Sequence, residues 1–165
     1  MIVVMKRVLI TGMSATGKSS LVRKLAECGY KAIDTDWNPE WEEPPSPPRD
    51  GPGWIWRDDR IQELLNTEDA DILFVSACVE NQVKFYSQFD HIVLLTAPAQ
   101  LTADRLATRT TNPYGKRAGE VEEVLHFKRT IEPLLRGAAT TEVDASISLE
   151  ELVATVLRRV GVGCG

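Results

Sequence analysis

Gly12, Gly17, Lys18 and Ser19 stand in the spacing G-x-x-x-x-G-K-S within GMSATGKSS. Glycines at those positions let the main chain wrap so that successive N–H groups point inward at phosphate oxygens. A helix starting after Gly17 adds the positive end of its dipole. In this pattern Lys18 bridges the β- and γ-phosphates of a nucleotide, and Ser19 ligates magnesium. The phosphate-facing residues are then Gly12, Ser14, Ala15, Thr16, Gly17, Lys18, Ser19 and Ser20. So short a pattern also recurs by chance. Here an apolar run, Arg7–Thr11, precedes it and an amphipathic stretch from Lys18 follows, the strand–loop–helix order that the chemistry requires.

Two further sets of residues carry chemistry. IDTD puts Asp34 and Asp36 at the end of an apolar run, on one face if the strand continues. One carboxylate there orients magnesium through water, and the other accepts a hydrogen bond from an attacking hydroxyl. A turn with ordinary solvated carboxylates is the plainer alternative. RLATR puts Arg105 and Arg109 on one helical face, with Lys116 and Arg117 following in a Gly-containing loop. Phosphoryl transfer through a loose transition state needs charge stabilisation more than covalent help. A cationic segment closing over the site would supply charge and exclude water, a competing acceptor. A solvated basic helix end has the same composition. No Asp follows the run DILFVSA, and HIVLLTA leads into PAQL instead of N-K-x-D. Both absences argue against a guanine-specific GTPase or a mechanical ATPase.

The elements that must position these groups alternate along the chain. Strand-length apolar runs occur at Arg7–Thr11, Tyr30–Thr35, Asp71–Ala77, His91–Ala97 and Thr141–Ala145. Several are apolar throughout, as suits strands covered on both faces. Helical stripes lie between them: Leu21, Val22, Leu25 and Ala26, with Gly29 as a stop; Val121, Val124, Leu125, Ile131, Leu134 and Leu135; and Leu149, Leu152, Val153, Val156, Leu157 and Val160. The last begins with Ser148 and Glu151 in capping-box spacing. Strand–helix alternation predicts an α/β fold with a parallel sheet and helices on both faces. Ligands in such sheets sit at the carboxyl ends of the strands. That gathers Gly12, Asp34, Asp36 and Ser76 around one cleft.

The bulk properties fit a soluble enzyme-sized domain. The chain has 165 residues, and 43% of them are hydrophobic, enough for a sizeable core. A formal net charge of −5 argues against a nucleic-acid partner, which needs a basic face. Cys28, Cys78 and Cys164 form neither a zinc pattern nor a disulfide framework, and reduced thiols point to the cytoplasm. No apolar run approaches the about 20 residues of a membrane helix, and the N-terminal stretch lacks a signal-peptide cleavage site. His91 and His126 read as structural or solvent-facing.

Two segments interrupt the alternation. Asp36–Trp56 is Pro-rich and holds all four tryptophans, Trp37, Trp41, Trp54 and Trp56. These either form a stacking surface for a planar acceptor or pack together to fix the loop. Arg49, Arg57 and Arg60 are suited to an anionic group beside them. Thr108–Glu120 is polar and basic, with NPYGK as a turn at its tip. Neither segment reads as a core element.

GMSATGKSS, DTD and RLATR together resemble the P-loop small-molecule and nucleoside-monophosphate kinases, including shikimate, gluconate and adenylate kinases. The resemblance implies a three-layer P-loop fold with five parallel strands in the order 2-3-1-4-5 and one domain over residues 1–165. It also implies a substrate insert at about 37–66 and a small lid at about 108–120. IDTD is similar to the shikimate kinase motif serving magnesium and the acceptor hydroxyl. FVSACVENQ is similar to the third-strand segment of gluconate kinases, which suggests Ser76, Asn81 and Gln82 at the acceptor site. The glycine run that shikimate kinases carry after the third strand is missing. NPYGK and the W-x-W segment also resemble bacterial P-loop proteins described as AAA-type or ATP-binding.

The combined expectation is an ATP- and magnesium-dependent phosphotransferase acting on a small-molecule hydroxyl or a nucleoside monophosphate. Its catalytic residues would be Lys18, Asp36, Arg105 and Arg109, and its metal residues Ser19 and Asp34. Its acceptor site would hold Asp34, Asp36, Trp54, Arg57, Arg60, Ser76, Asn81 and Gln82. Arg105 and Arg109 would also contact the nucleotide. The expected state is a cytoplasmic monomer or homodimer whose partner is a small phosphoryl acceptor, without nucleic acid or membrane. The alternative is a nucleotide-binding regulatory or partner-binding module with slow hydrolysis.

Overall fold

The computed structural model describes residues 4–13, 16–46, 54–98, 101, 104, 122, 125, 126 and 129–162. Its centre is built from the three most apolar runs: β1 (Lys6–Thr11), β5 (Ile72–Ser76) and β6 (His91–Thr96). All five residues of β5 are buried, as are the last four of β1. A strand covered on both faces needs such continuity. The more polar β2 (Lys31–Asp34) and β7 (Thr141–Asp144) take the two edges. All four pairings are parallel, giving the order β2-β5-β1-β6-β7. The intervening β3 (Glu42–Glu43) and β4 (Ile55–Trp56) form a separate antiparallel pair. Counted within the main sheet, the order is therefore the expected 2-3-1-4-5.

Successive side chains of a strand point to opposite faces, which splits the core in two. Val8, Ile10, Phe74, Val93 and Leu95 pack on one side with α1 (Lys18–Glu27) and α4 (Leu149–Arg159). Leu9, Leu73, Val75 and Ile92 pack on the other with α2 (Asp58–Leu65), Trp56 and a 3-10 segment over Glu80–Gln88. Gly29, at φ 94°, ends α1, where the amides of Gly29 and Tyr30 reach back to Ala26 O and Leu25 O. Ser148 Oγ caps α4 by accepting the Glu151 amide at 3.2 Å. The glycine stop is as expected, and Ser148 makes the N-cap half of the expected capping box.

Two expectations need correction. In α3 (Glu132–Ala138) Leu135 is buried, but Leu134 points to solvent and leaves the apolar stripe predicted for it. The Pro-rich segment does contribute to the core: Trp56 is 1% exposed, and half-buried Trp41 packs against the same cluster. The β3–β4 pair brings them there by setting Glu42 opposite Trp56.

Candidate active site

Strand register decides which side chains meet. Asp34 lies opposite Ser76, and Ser76 opposite Ile10, so the carboxyl ends of β2, β5 and β1 lie side by side. The glycine loop leaves the end of β1 at this edge. Gly12, at φ 149°, passes so close to β6 that an added Cβ would sit 2.5 Å from Leu95 O. Thr16 closes the turn, its Oγ1 donating to Met13 O at 2.8 Å. Gly17, at φ 99°, then enters α1, and its left-handed conformation favours glycine. Among the described residues no side chain caps α1, and its first turn holds no acidic residue, so its N-terminal amides are left for a ligand at the loop mouth. Ser19 and Ser20 are exposed there.

Lys18 is buried and folds back into the loop. Its Nζ donates to Gly12 O at 2.6 Å and to Met13 O at 3.3 Å, and lies 3.7 Å from Asp36 Oδ2. The cation from the first motif and a carboxylate from the second thus meet. Burial raises the Asp36 carboxyl above its usual range; the Lys18 ammonium pulls it down and the Asp34 charge adds to the rise. Asp34 Oδ1 accepts both the Asp36 amide and the Ser76 hydroxyl, each at 3.1 Å. Burial also pushes up the thiol of Cys78, which lies beside Lys18 and Asp36.

The remaining sequence candidates divide. Ser76 is buried and orients Asp34. Gln82 is buried, its Nε2 donating to Thr11 Oγ1 and Tyr86 Oη and its Oε1 accepting the Val79 amide. Asn81 grips β4 instead: its Oδ1 accepts the Trp56 amide and its Nδ2 donates to Trp56 O, both at 2.9 Å. It also lines a groove of about 630 Å³ bounded by Glu43, Ile55, Asp58 and Lys84, apart from Lys18. Arg57 Nη1 donates to Pro39 O at 3.2 Å, and Arg60 lies on the exposed face of α2. Ser14, Ala15, Arg105 and Arg109 lie outside the described residues, as do Arg49, Lys116, Arg117 and the whole of 108–120.

The tryptophans separate into two roles. Trp56 plugs the core, its ring edge-on to Phe85 at 5.6 Å, with Nε1 donating to Thr35 Oγ1 at 2.9 Å. Trp37 is 43% exposed and pairs with half-buried Trp54 at 5.7 Å. Only this second pair forms an accessible aromatic face.

Sequence reasoning missed two polar residues at the base of the cleft, Thr35 and Glu42. Both are buried, and they touch at 3.4 Å between Thr35 Oγ1 and Glu42 Oε2. Burial, reinforced by the Asp36 charge, raises Glu42 to about 8. Strand alternation was a usable signal for Thr35, which must point away from Asp34 and Asp36. None distinguishes Glu42 from Glu40 and Glu43.

Among the described residues no cluster of His, Cys, Asp and Glu could hold a metal unaided, and no helix is long and apolar enough to cross a membrane.

Residues 8–126, most of the chain, match the family model described as AAA domain. The chain is 28% identical to a protein of Acidiphilium cryptum (strain JF-5) called "Nucleotide-binding protein", over 96% of this chain and 50% of that one. It therefore spans about half the length of this curated relative. A shikimate kinase from Acinetobacter baumannii, solved in complex with shikimate, superposes with a TM-score of 0.66 at 15% identity, covering 94% of this chain and 93% of that one. A gluconokinase from Sinorhizobium meliloti 1021 gives 0.60 at 22% identity, covering 94% and 91%. At such identities the likeness concerns the fold. With the loop, the strand order and the family match in agreement, the chain belongs to the AAA domain family and has the P-loop kinase fold.

Proposed function

We propose that the protein transfers the γ-phosphoryl group of ATP to a small acceptor, with a hydroxyl as the favoured nucleophile. The observation that carries this reading is the 3.7 Å approach of Lys18 and Asp36 across the mouth of an uncapped, glycine-entered helix. The loop amides and Lys18 hold the β- and γ-phosphates. Magnesium, when bound, neutralises charge between those phosphates; Ser19 would ligate it and Asp34 would orient its waters. Such a site suits magnesium, which keeps several waters and leans on substrate phosphates more than on a protein cage.

Asp36 accepts the hydrogen bond of the acceptor hydroxyl. As the acceptor oxygen bonds to the γ-phosphorus, the bond to the β-phosphate oxygen breaks, the proton passes to Asp36, and ADP leaves. Burial that raises Asp36 brings it nearer the range in which a general base works best. Ser76 fixes Asp34, and Asn81 and Gln82 brace the walls. The insert at about 37–66 carries the acceptor, with Trp54, Arg57 and Arg60 toward it. Arg105 and Arg109, with the lid at about 108–120, close over the phosphates. The curated relative's name supports nucleotide binding, and the fold neighbours support a small-molecule acceptor.

The test is ADP release from magnesium-ATP with and without a panel of sugar, cyclitol-acid and nucleoside monophosphate acceptors. Lys18→Ala abolishes measurable nucleotide binding by calorimetry. Asp36→Asn keeps the ATP affinity but lowers acceptor-dependent ADP release by about 100-fold or more, the scale of a lost general base. Slow release indifferent to every acceptor would overturn the kinase reading in favour of a nucleotide-binding regulatory module.

A further inference from the structure

The turn that carries Asp36 is tied down from below by one side chain. Glu42 Oε1 accepts the Trp37 amide at 3.1 Å, and Glu42 Oε2 meets the Thr35 hydroxyl at 3.4 Å. Thr35 and Trp37 are the two neighbours of Asp36. We infer that Glu42 is a positioning residue: by bridging Thr35 to the Trp37 amide it sets both the Asp36 carboxylate and the Trp37–Trp54 face. The inference rests on the proposed role of Asp36 toward the acceptor.

The hydrogen-bond inventory fixes how the bridge works. The Thr35 hydroxyl has a single proton. That proton goes to Ser76 O at 2.7 Å, while the Trp56 indole donates to the same hydroxyl at 2.9 Å. The longer contact, from Thr35 Oγ1 toward Glu42 Oε2 at 3.4 Å, shares that same proton and is the weaker half of the bridge; the Trp37 amide at 3.1 Å is the firmer half. Burial and the neighbouring charge of Asp36 raise the Glu42 carboxyl to about 8, which favours its neutral form. Among the described residues, the charged groups facing Glu42 are Asp34 at the end of β2 and Asp36 just beyond it, with Lys18 of α1 beyond Asp36. From the hairpin, Glu43 and Arg57 pair with each other at 4.0 Å.

The bridge also holds a strained residue. Trp37 has φ 56°, the single non-glycine in the left-handed region among the described residues. Such a conformation costs on the order of 1–3 kcal/mol and persists only where its surroundings enforce it. Here the turn is closed by Asn38 N to Thr35 O at 3.2 Å, Glu42 N to Asn38 O at 2.8 Å and the Glu42 carboxyl itself. Strand geometry does not set this pair: the left-handed turn aims the Trp37 ring at Trp54, the residue just before β4.

Glu42→Gln and Glu42→Ala separate the bridge from mere packing. Glutamine keeps an oxygen to accept the Trp37 amide and fills the same space beside Thr35; alanine does neither. The measurements are acrylamide quenching of tryptophan emission, magnesium-ATP affinity, and acceptor-dependent ADP release resolved into kcat and KM. Glu42→Gln matches the wild type in all three. Glu42→Ala retains magnesium-ATP affinity, gains quencher-accessible tryptophan and loses about 10- to 100-fold in kcat/KM for the acceptor, the scale of a misplaced catalytic group. Should Glu42→Ala fail to fold, the pH arm decides. Wild-type quenching then rises as pH passes from 6 to 9 and that of Glu42→Gln stays flat. Unchanged quenching in Glu42→Ala, equal damage from Gln and Ala, or identical pH profiles for wild type and Glu42→Gln would each overturn the inference. The quenching arm needs no acceptor, so it reports on Glu42 even if phosphoryl transfer itself is disproved.

Discussion

Replacing Glu42 by glutamine changes one atom and removes one titration. The glutamate is 4% exposed, and its carboxyl is raised from an ordinary 4.5 to about 8. Burial is the main cause, and the charges of Asp36 and then Asp34 add to it; the Trp37 amide and the Thr35 hydroxyl act in the opposite direction. The folded protein thus binds this proton more tightly than the unfolded chain does. Stability from it is fully present below about 4.5, declines as pH rises, and is lost above about 8. At 1.36 kcal/mol per unit the whole displacement corresponds to about 5 kcal/mol as a ceiling. Water entering beside the short β3–β4 pair would reduce it to a few kcal/mol. Even that is a large share of the roughly 5–15 kcal/mol of a typical domain. Urea denaturation followed by circular dichroism at pH 5, 7 and 9 reads the effect, with the Gln variant as reference. The two proteins have similar stability at pH 5, and the variant becomes the more stable by a few kcal/mol at pH 9. Since Asp36 and Cys78 titrate in both, the difference between the curves isolates Glu42. Parallel curves would show that the carboxyl is already hydrated or ionised in the fold, and the proton assignment would fall.

Gly12→Ala forces a Cβ to 2.5 Å from Leu95 O in the buried sheet and costs about 2–5 kcal/mol, which lowers Tm by roughly 2–4 °C per kcal/mol at this chain length. Gly29→Ala meets nothing within 4 Å and suffers only the strain of φ 94°, so its loss is on the order of 1 kcal/mol; equal Tm values for the two variants would refute the close approach of loop and β6. Trp56→Phe keeps the ring contact with Phe85 but deletes the donor to Thr35, and costs about 2–3 kcal/mol in chemical denaturation. Adding Trp56→Phe to Glu42→Ala then costs less than the sum of the two, because both act on the Thr35 hydroxyl; strict additivity would deny the shared network.

What the sequence makes legible is whatever repeats along it. Val8, Leu9 and Ile10 form a run long enough to demand cover on both faces, and the glycine spacing before Lys18 states its own geometry. Together they predict the sheet, the loop and the edge where Asp34 meets Ser76. The insert lacks any such period. Two residues of strand, Glu42–Glu43 or Ile55–Trp56, are too few to show alternation, and what pairs them is a contact across more than ten residues of chain. Residue type does not help either. Trp37 and Trp56 are chemically identical, but one is exposed at a left-handed turn and the other is fully enclosed. The difference lies in register: placing Glu42 opposite Trp56 sends the indole under the sheet to Thr35 and turns the carboxyl toward the same hydroxyl. Shifting that pairing by one residue would reverse both side chains, expose the tryptophan and release the turn that holds Asp36. The least periodic part of the chain therefore controls the aim of Asp36, the residue proposed to meet the acceptor.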